Sequence, residues 1–211
     1  ARERLTFDEA FLLQLLLVSR KEKMKSLDAI ARPRKDGGIL SAFDQSLPFQ
    51  LTPGQVTVAS EIEGDLAQPH PMHRLLQGEV GSGKTVIALR AMLAVVDNGG
   101  QAALLAPTEV LAGQHLRTIE KLMGPLAQGG MIGAPESSTR VTLLTGSQSA
   151  AERRDALALA ASGEAGIVIG THALLSASVE FNDLGLIVVD EQHRFGVEQR
   201  DALKGKAKIP P

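Results

Sequence analysis

The sequence predicts an α/β fold: a three-layer sandwich with a mostly parallel β-sheet, preceded by a helical N-terminal segment. Two observations predict it. From residue 73 onward, short apolar runs rich in β-prone residues alternate with longer helix-like stretches, the pattern of successive βαβ units. Each polar, chemistry-bearing segment also begins where an apolar run ends. Parallel sheets bind ligands in that position, beyond the carboxyl ends of their strands. With 211 residues the chain can hold one large domain or two small ones, and a hydrophobic fraction of 44% is enough to bury a core.

The first element is a helix. Thr6 and Glu9 have capping-box spacing ahead of the apolar run Phe11–Val18, and a basic run (Arg20, Lys21, Lys23, Lys25) follows. The run contains Gln14, no small-residue cleavage site follows it, and it is too short to cross a bilayer. An amphipathic helix with a solvated basic end is the expectation. Ala31–Pro48 mixes Pro, Gly and charge without periodicity and reads as a linker. Residues 1–45 are therefore expected to be a helix and linker, and 46–211 the sandwich. Strands are expected at His73–Gln77, Ala102–Ala106, Val141–Thr145, Gly166–Gly170 and Leu186–Val189. Helices are expected at Thr85–Asp97, Glu109–Leu122 and Ala150–Ala161, and Gly129–Arg140 reads as a surface loop.

Composition narrows the function classes. A net charge of -2 excludes a general polycation, so any nucleic-acid contact must be local. With no Trp or Tyr, a surface built on base stacking is disfavoured. The absence of Cys excludes disulfides and thiolate zinc sites and fits the cytoplasm. The five histidines are dispersed without metal-ligand spacing.

Gly78-Glu79-Val80-Gly81-Ser82-Gly83-Lys84-Thr85 matches G-x-x-x-x-G-K-[ST] in full. The glycines let a loop curl so that backbone N–H groups face phosphate oxygens, with Ser82 among them, and the following helix aims its positive end at the same place. Lys84 can reach the β- and γ-phosphates of ATP, and the Thr85 hydroxyl can ligate Mg²⁺. The run Leu186–Val189 ends in Asp190-Glu191. A carboxylate at Asp190 can hold Mg²⁺, and Glu191 can orient or deprotonate the attacking water.

Gln192, His193 and Arg194 exceed what nucleotide hydrolysis needs. "DEQH" in place of plain "DE" resembles the signature of superfamily-two helicases and translocases, and "DEQHRFGVEQR" closely resembles the RecG family of bacterial ATP-dependent DNA helicases, which remodel forks and Holliday junctions. The resemblance runs from about Ser46 to Leu203. It implies a RecA-like P-loop lobe, with ATP and Mg²⁺ as cofactors and branched double-stranded DNA as partner. In "FQLTPGQ", Gln55 resembles the adenine-reading residue, with Phe49 packing near the base. "APTEVLAGQH", "TGS" and "GTHALL" resemble the DNA-contacting motifs and bring in Thr108, Gly146 and Thr171. As bare sequence, both threonines are equally ordinary N-caps. His193 is either a relay between γ-phosphate and DNA or a bond to a neighbouring strand.

Motors of this kind close ATP between two lobes. The resemblance implies that this chain is the first lobe with a leading helical segment, monomeric, and nearly inactive without a second lobe and a wedge domain. The alternatives are the motor of a transcription-repair coupling factor, a phosphate-loop switch or kinase, and a non-catalytic interaction module. An acceptor pocket and an Arg-rich lid, which a kinase needs, are not evident.

Overall fold

Central strands that are apolar on both sides fix the architecture. In the computed structural model, which describes residues 2–79 and 81–209, β1 (Gln101–Leu105) and β3 (Ala165–Gly170) are buried along their whole length. They sit between β2 (Arg140–Leu144) and β4 (Leu184–Val189) in a parallel sheet of order β2-β3-β1-β4. Successive side chains alternate between faces. Ala102, Leu104, Ile167 and Ile169 join one apolar cluster, and Ala103, Leu105 and Val168 join the other. One face is covered by α2 (Ile39–Ser46), α3 (Pro53–Leu66), α4 (Lys84–Asp97) and α5 (Glu109–Met123). The opposite face is covered by α6 (Ala150–Ser162) and α7 (Val197–Lys204). The three-layer sandwich is thus as expected, and α4, α5 and α6 lie where the sequence places helices.

Three expectations are corrected. Residues His73–Gln77 form no strand. Arg74 is drawn to α3, with Nε 2.5 Å from Asp65 Oδ2 and Nη1 2.5 Å from Glu61 Oε2. Leu75 is left exposed, and a cavity of about 420 Å³ is lined by both this extended segment and β4. The sheet therefore ends at β4, and the glycine loop follows an unpaired extended chain.

Second, Ala31–Pro48 is not a free linker. It contains α2, whose Ile39, Leu40 and Phe43 are buried against the α4 side of the core. The α2 N-terminus has no side-chain cap of its own. Asp97, at the end of α4, supplies one across space, accepting from Ile39 N (2.7 Å) and Leu40 N (3.1 Å). Buried Arg90 of α4 bonds Asp44 and Glu63, and Arg34 bonds the same two carboxylates. Covered by α2 and α3 outside and the sheet inside, α4 is buried nearly all round.

Third, α1 (Arg2–Lys25) is helical but not amphipathic. Leu15, Leu16, Leu17 and Val18 are consecutive, so they surround the helix, and all four are exposed. The helix starts upstream of Thr6, and the side chains of Thr6 and Glu9 lie outside the described residues.

The segment after α1 is fastened by Arg32. Its guanidinium is 4% exposed and bonds both oxygens of Asp183 at 2.8 Å, just before β4. It passes between Gly100 and Gly185, where a methyl group on either glycine would overlap it. Arg32→Ala leaves Asp183 unpaired and a hole between the two glycines. A loss of roughly 3 kcal/mol is expected from removing one partner of such a pair. Urea unfolding checks this, and a change below about 1 kcal/mol would show the lock to be dispensable.

Candidate nucleotide-binding site

The candidate residues fall in two groups: the glycine loop with the first turn of α4 and Gln55 of α3, and the end of β4 with α5. Gly81 and Gly83 both adopt φ +83°, a left-handed conformation that costs glycine nothing. Gly83 is also the N-cap of α4 and offers no capping side chain, so the orphan N–H groups of the first turn have no side-chain acceptor there. Lys84 opens α4 and curls back over the loop, its Nζ donating to Gly78 O (2.8 Å) and Glu79 O (2.7 Å). Thr85 is half-buried in the same turn. Val80 lies outside the described residues.

Gln55 belongs to the same unit. Thr52 caps α3, and Gln55 closes the capping box with Oε1 accepting from Thr52 N at 2.9 Å. Its Nε2 donates to Ser82 O at 2.9 Å, and a side chain at Gly83 would overlap that nitrogen. Each amide atom thus already makes one bond within the protein. One N–H and one oxygen lone pair remain for another group. Phe49 is exposed in an adjoining cleft of about 680 Å³ with Leu51 and Val56.

The acidic pair sits at the end of β4. Asp190 N still donates to Leu105 O (2.9 Å), so its backbone is fixed by the sheet. Its Oδ2 lies 2.8 Å from His115 Nε2 of α5. Glu191 has φ +46°, the one positive-φ residue other than glycine among those described. The left-handed turn ends the strand abruptly and turns the Glu191 carboxylate into the open, where Arg194 Nε lies 3.2 Å away. Gln192, His193 and Arg194 form an exposed 3-10 turn. The Arg200 side chain lies outside the described residues.

The expected DNA-facing residues divide. Thr108 is the N-cap of α5, its hydroxyl accepting from Leu111 N at 3.2 Å. Gly146 is exposed. At Thr171 the hydroxyl itself is withdrawn from the surface. The residue is 1% exposed, with its hydroxyl buried and unpartnered, so that hydroxyl faces no phosphate in this conformation.

Two residues on α5 escaped the sequence reading, His115 and Glu109. Glu109 Oε1 accepts from the backbone N–H groups of Gly146 (2.8 Å) and Ser147 (3.1 Å), tying α5 to the turn after β2. The Ser147 hydroxyl and these N–H groups hold the Glu109 carboxyl below its usual range. A depressed carboxylate pKa means the tie is complete above the ordinary value and is lost as pH falls through the lower, folded one. The hydrogen-bonded chemical shift of the Gly146 amide should therefore be lost with a midpoint below the ordinary carboxylate value. A midpoint at or above 4.5 in an NMR titration would contradict the tie.

The described residues thus hold a glycine loop with a lysine folded over it, and a carboxylate paired with a histidine at a strand end. Among the described residues no cluster of three His, Cys, Asp or Glu side chains could hold a metal alone, and no helix is long and apolar enough to cross a membrane. Comparison with known proteins gives a consistent picture. Residues 52–209 match the DEAD/DEAH box helicase family. The chain is 56% identical over 207 residues to the ATP-dependent DNA helicase RecG of Mycobacterium bovis, covering 98% of this chain and 28% of that protein. It is 45% identical over 210 residues to RecG of Synechocystis, covering all of this chain and 24% of the relative. A solved structure of RecG bound to a three-way DNA junction superposes with a TM-score of 0.78 at 38% identity, covering 93% of this chain and 25% of that one. The chain thus spans about a quarter of the length of these relatives.

Proposed function

Because the chain belongs to the DEAD/DEAH box helicase family, we propose that it is the ATP-binding lobe of a motor that remodels branched DNA. The observation that carries this reading is the glycine loop with Lys84 inside it, joined through Gln55 to the segment before it. The similarity to RecG, including a RecG solved on a three-way junction, supports DNA as the track and a branch as the substrate.

The residues fit ATP with Mg²⁺. The two left-handed glycines let the loop curl, a side chain at Gly83 would overlap Gln55 Nε2, and the first turn of α4 points N–H groups and the helix dipole to where an anion would sit. Thr85 and Asp190 supply the hard oxygen donors that Mg²⁺ prefers, with the remaining ligands left to phosphate and water, as is usual for this ion. When bound, Mg²⁺ neutralises charge on the phosphate oxygens.

The chain's own groups then have separate tasks. Lys84 exchanges its two carbonyl partners for phosphate oxygens and holds the triphosphate. Gln55 presents its remaining N–H and lone pair to the adenine edge while still bonded to Ser82, so base recognition and loop position are linked. Glu191 orients the attacking water and accepts its proton. The exposed turn from Gln192 to Arg194 couples this chemistry to DNA, which Thr108 and Gly146 position through the phosphate backbone without reading bases. Thr171 supports that surface from below. The lobe acts within a monomer, and residues 29–47 count as part of it, since α2 completes its core.

The test is ATP hydrolysis by the full-length protein with no DNA, linear duplex and a three-way junction. The expected result is turnover that rises with duplex and rises most with the junction. Equal stimulation by linear and branched DNA would reject the branched substrate, and no stimulation by any DNA would reject the motor.

A further inference from the structure

We propose that His115 is a positioning residue for Asp190 and the point through which the DNA-facing end of α5 reaches the metal side of the site. The proposal rests on the reading of Asp190 as a magnesium-holding carboxylate. Its Oδ2 is 2.8 Å from His115 Nε2. A carboxylate only accepts, so Nε2 carries the hydrogen of this bond. Asp190 is thereby fixed twice, its backbone to Leu105 of β1 and its side chain to α5. One oxygen is directed to the imidazole, which leaves the other free to face a ligand.

The core does not need this bond. Buried Ala112, Ile119 and Met123 already seat α5 on the sheet, whereas the His115 side chain is 18% and that of Asp190 37% exposed. The bond's position is informative. The first turn of α5 carries Thr108 as N-cap and Glu109, whose carboxylate grips the Gly146–Ser147 turn. His115 follows Glu109 by six residues, a separation of about 9 Å along the helix axis. One short rigid rod therefore touches both proposed DNA-facing turns at one end and the metal carboxylate further along. A small shift of the rod as phosphates engage its first turn would move the imidazole, and the Asp190 carboxylate with it.

Partners that orient a metal-holding group typically change metal affinity or activity about 10- to 100-fold when removed. The experiment uses the full-length protein. It measures binding of a fluorescent non-hydrolysable ATP analogue as Mg²⁺ is raised, the same binding without Mg²⁺, the thermal midpoint, and the ratio of DNA-stimulated to basal ATP turnover. His115→Ala is expected to raise the half-saturating Mg²⁺ concentration about tenfold and to lower the stimulation ratio, with metal-free binding and the thermal midpoint unchanged. His115→Gln, which can still donate through its amide, is expected to recover most of both. An unchanged Mg²⁺ requirement in His115→Ala overturns the proposal, and so does a parallel loss of metal-free binding and thermal midpoint, which would mark a purely structural tie. Should His115→Ala fail to fold, His115→Gln and His115→Leu decide the matter by whether the Mg²⁺ requirement follows the donor. Asp190→Asn is the reference. If it leaves the Mg²⁺ requirement unchanged, the metal reading of Asp190 falls and His115 with it. If it shifts the requirement and His115→Ala does not, only the role of His115 falls.

Discussion

Lys84→Ala is expected to lower ATP turnover in the full-length protein by about 10²–10³-fold, with the fold intact. The ammonium is already gathered into the loop, 2.8 Å from Gly78 O and 2.7 Å from Glu79 O, so little reorganisation is needed to bring it onto the phosphates. A charge-assisted hydrogen bond contributes about 1.5–3 kcal/mol, and the contribution grows where charge develops during transfer. Lys84 stands in the first turn of α4, where Ala is an equally good helix former, so the mutation does not threaten the helix. Steady-state ATPase and a thermal melt suffice as measurements. Turnover within threefold of the parent would remove the glycine loop from the mechanism.

Glu191→Gln is expected to separate binding from hydrolysis. Gln keeps the size and the hydrogen-bonding reach of Glu but cannot take a proton at this pH. Loss of a positioned base typically costs about 10²–10⁴-fold in rate. Asp190, Lys84 and Thr85 remain, so binding of Mg²⁺ with a non-hydrolysable analogue should persist. The tie to Arg194 weakens, but both groups are exposed and its contribution to stability is small. Equilibrium binding and single-turnover hydrolysis separate the two effects. Loss of nucleotide binding in this variant would assign Glu191 to the binding site and leave the base unidentified.

Much of this was legible because the informative residues are local. The glycine loop, its helix and the strand that ends at Asp190 follow from short patterns whose physics is contained within them. Apolar runs at β1, β2, β3 and β4 announce a sheet because a strand covered on both faces has no polar side to show. His73–Gln77 has the same appearance, yet Arg74 finds two carboxylates on α3, and that competition is invisible to a pattern of apolar residues. The region around α2 was misread for a similar reason. Its Pro and Gly residues punctuate the chain, but Leu40 and Phe43 are buried by α4, and the helix is capped by Asp97, distant in sequence. In α1 the apolar residues indicated a helix but not which side, if any, is covered.

The site residues divide along the same line. Lys84, Thr85, Asp190 and Glu191 could be named from their motifs. His115 and Glu109 could not be assigned roles, because each acts on a residue of another element. His115 lies within the APTEVLAGQH motif, but its partner is 75 residues away. Thr171 shows the reverse, a residue chosen for its place at a strand end whose hydroxyl the fold then covers.

The left-handed backbone at Glu191 sets evolution and protein engineering against each other. A left-handed backbone crowds Cβ against the following carbonyl oxygen, and glycine, which has no Cβ, would relieve about 1 kcal/mol of strain. On the role proposed for Glu191, selection for heat tolerance alone would drift toward glycine at this position at the expense of ATP turnover. A stabilisation campaign on this lobe should hold residue 191 fixed and look instead to α1, where the exposed leucines can change without touching the site.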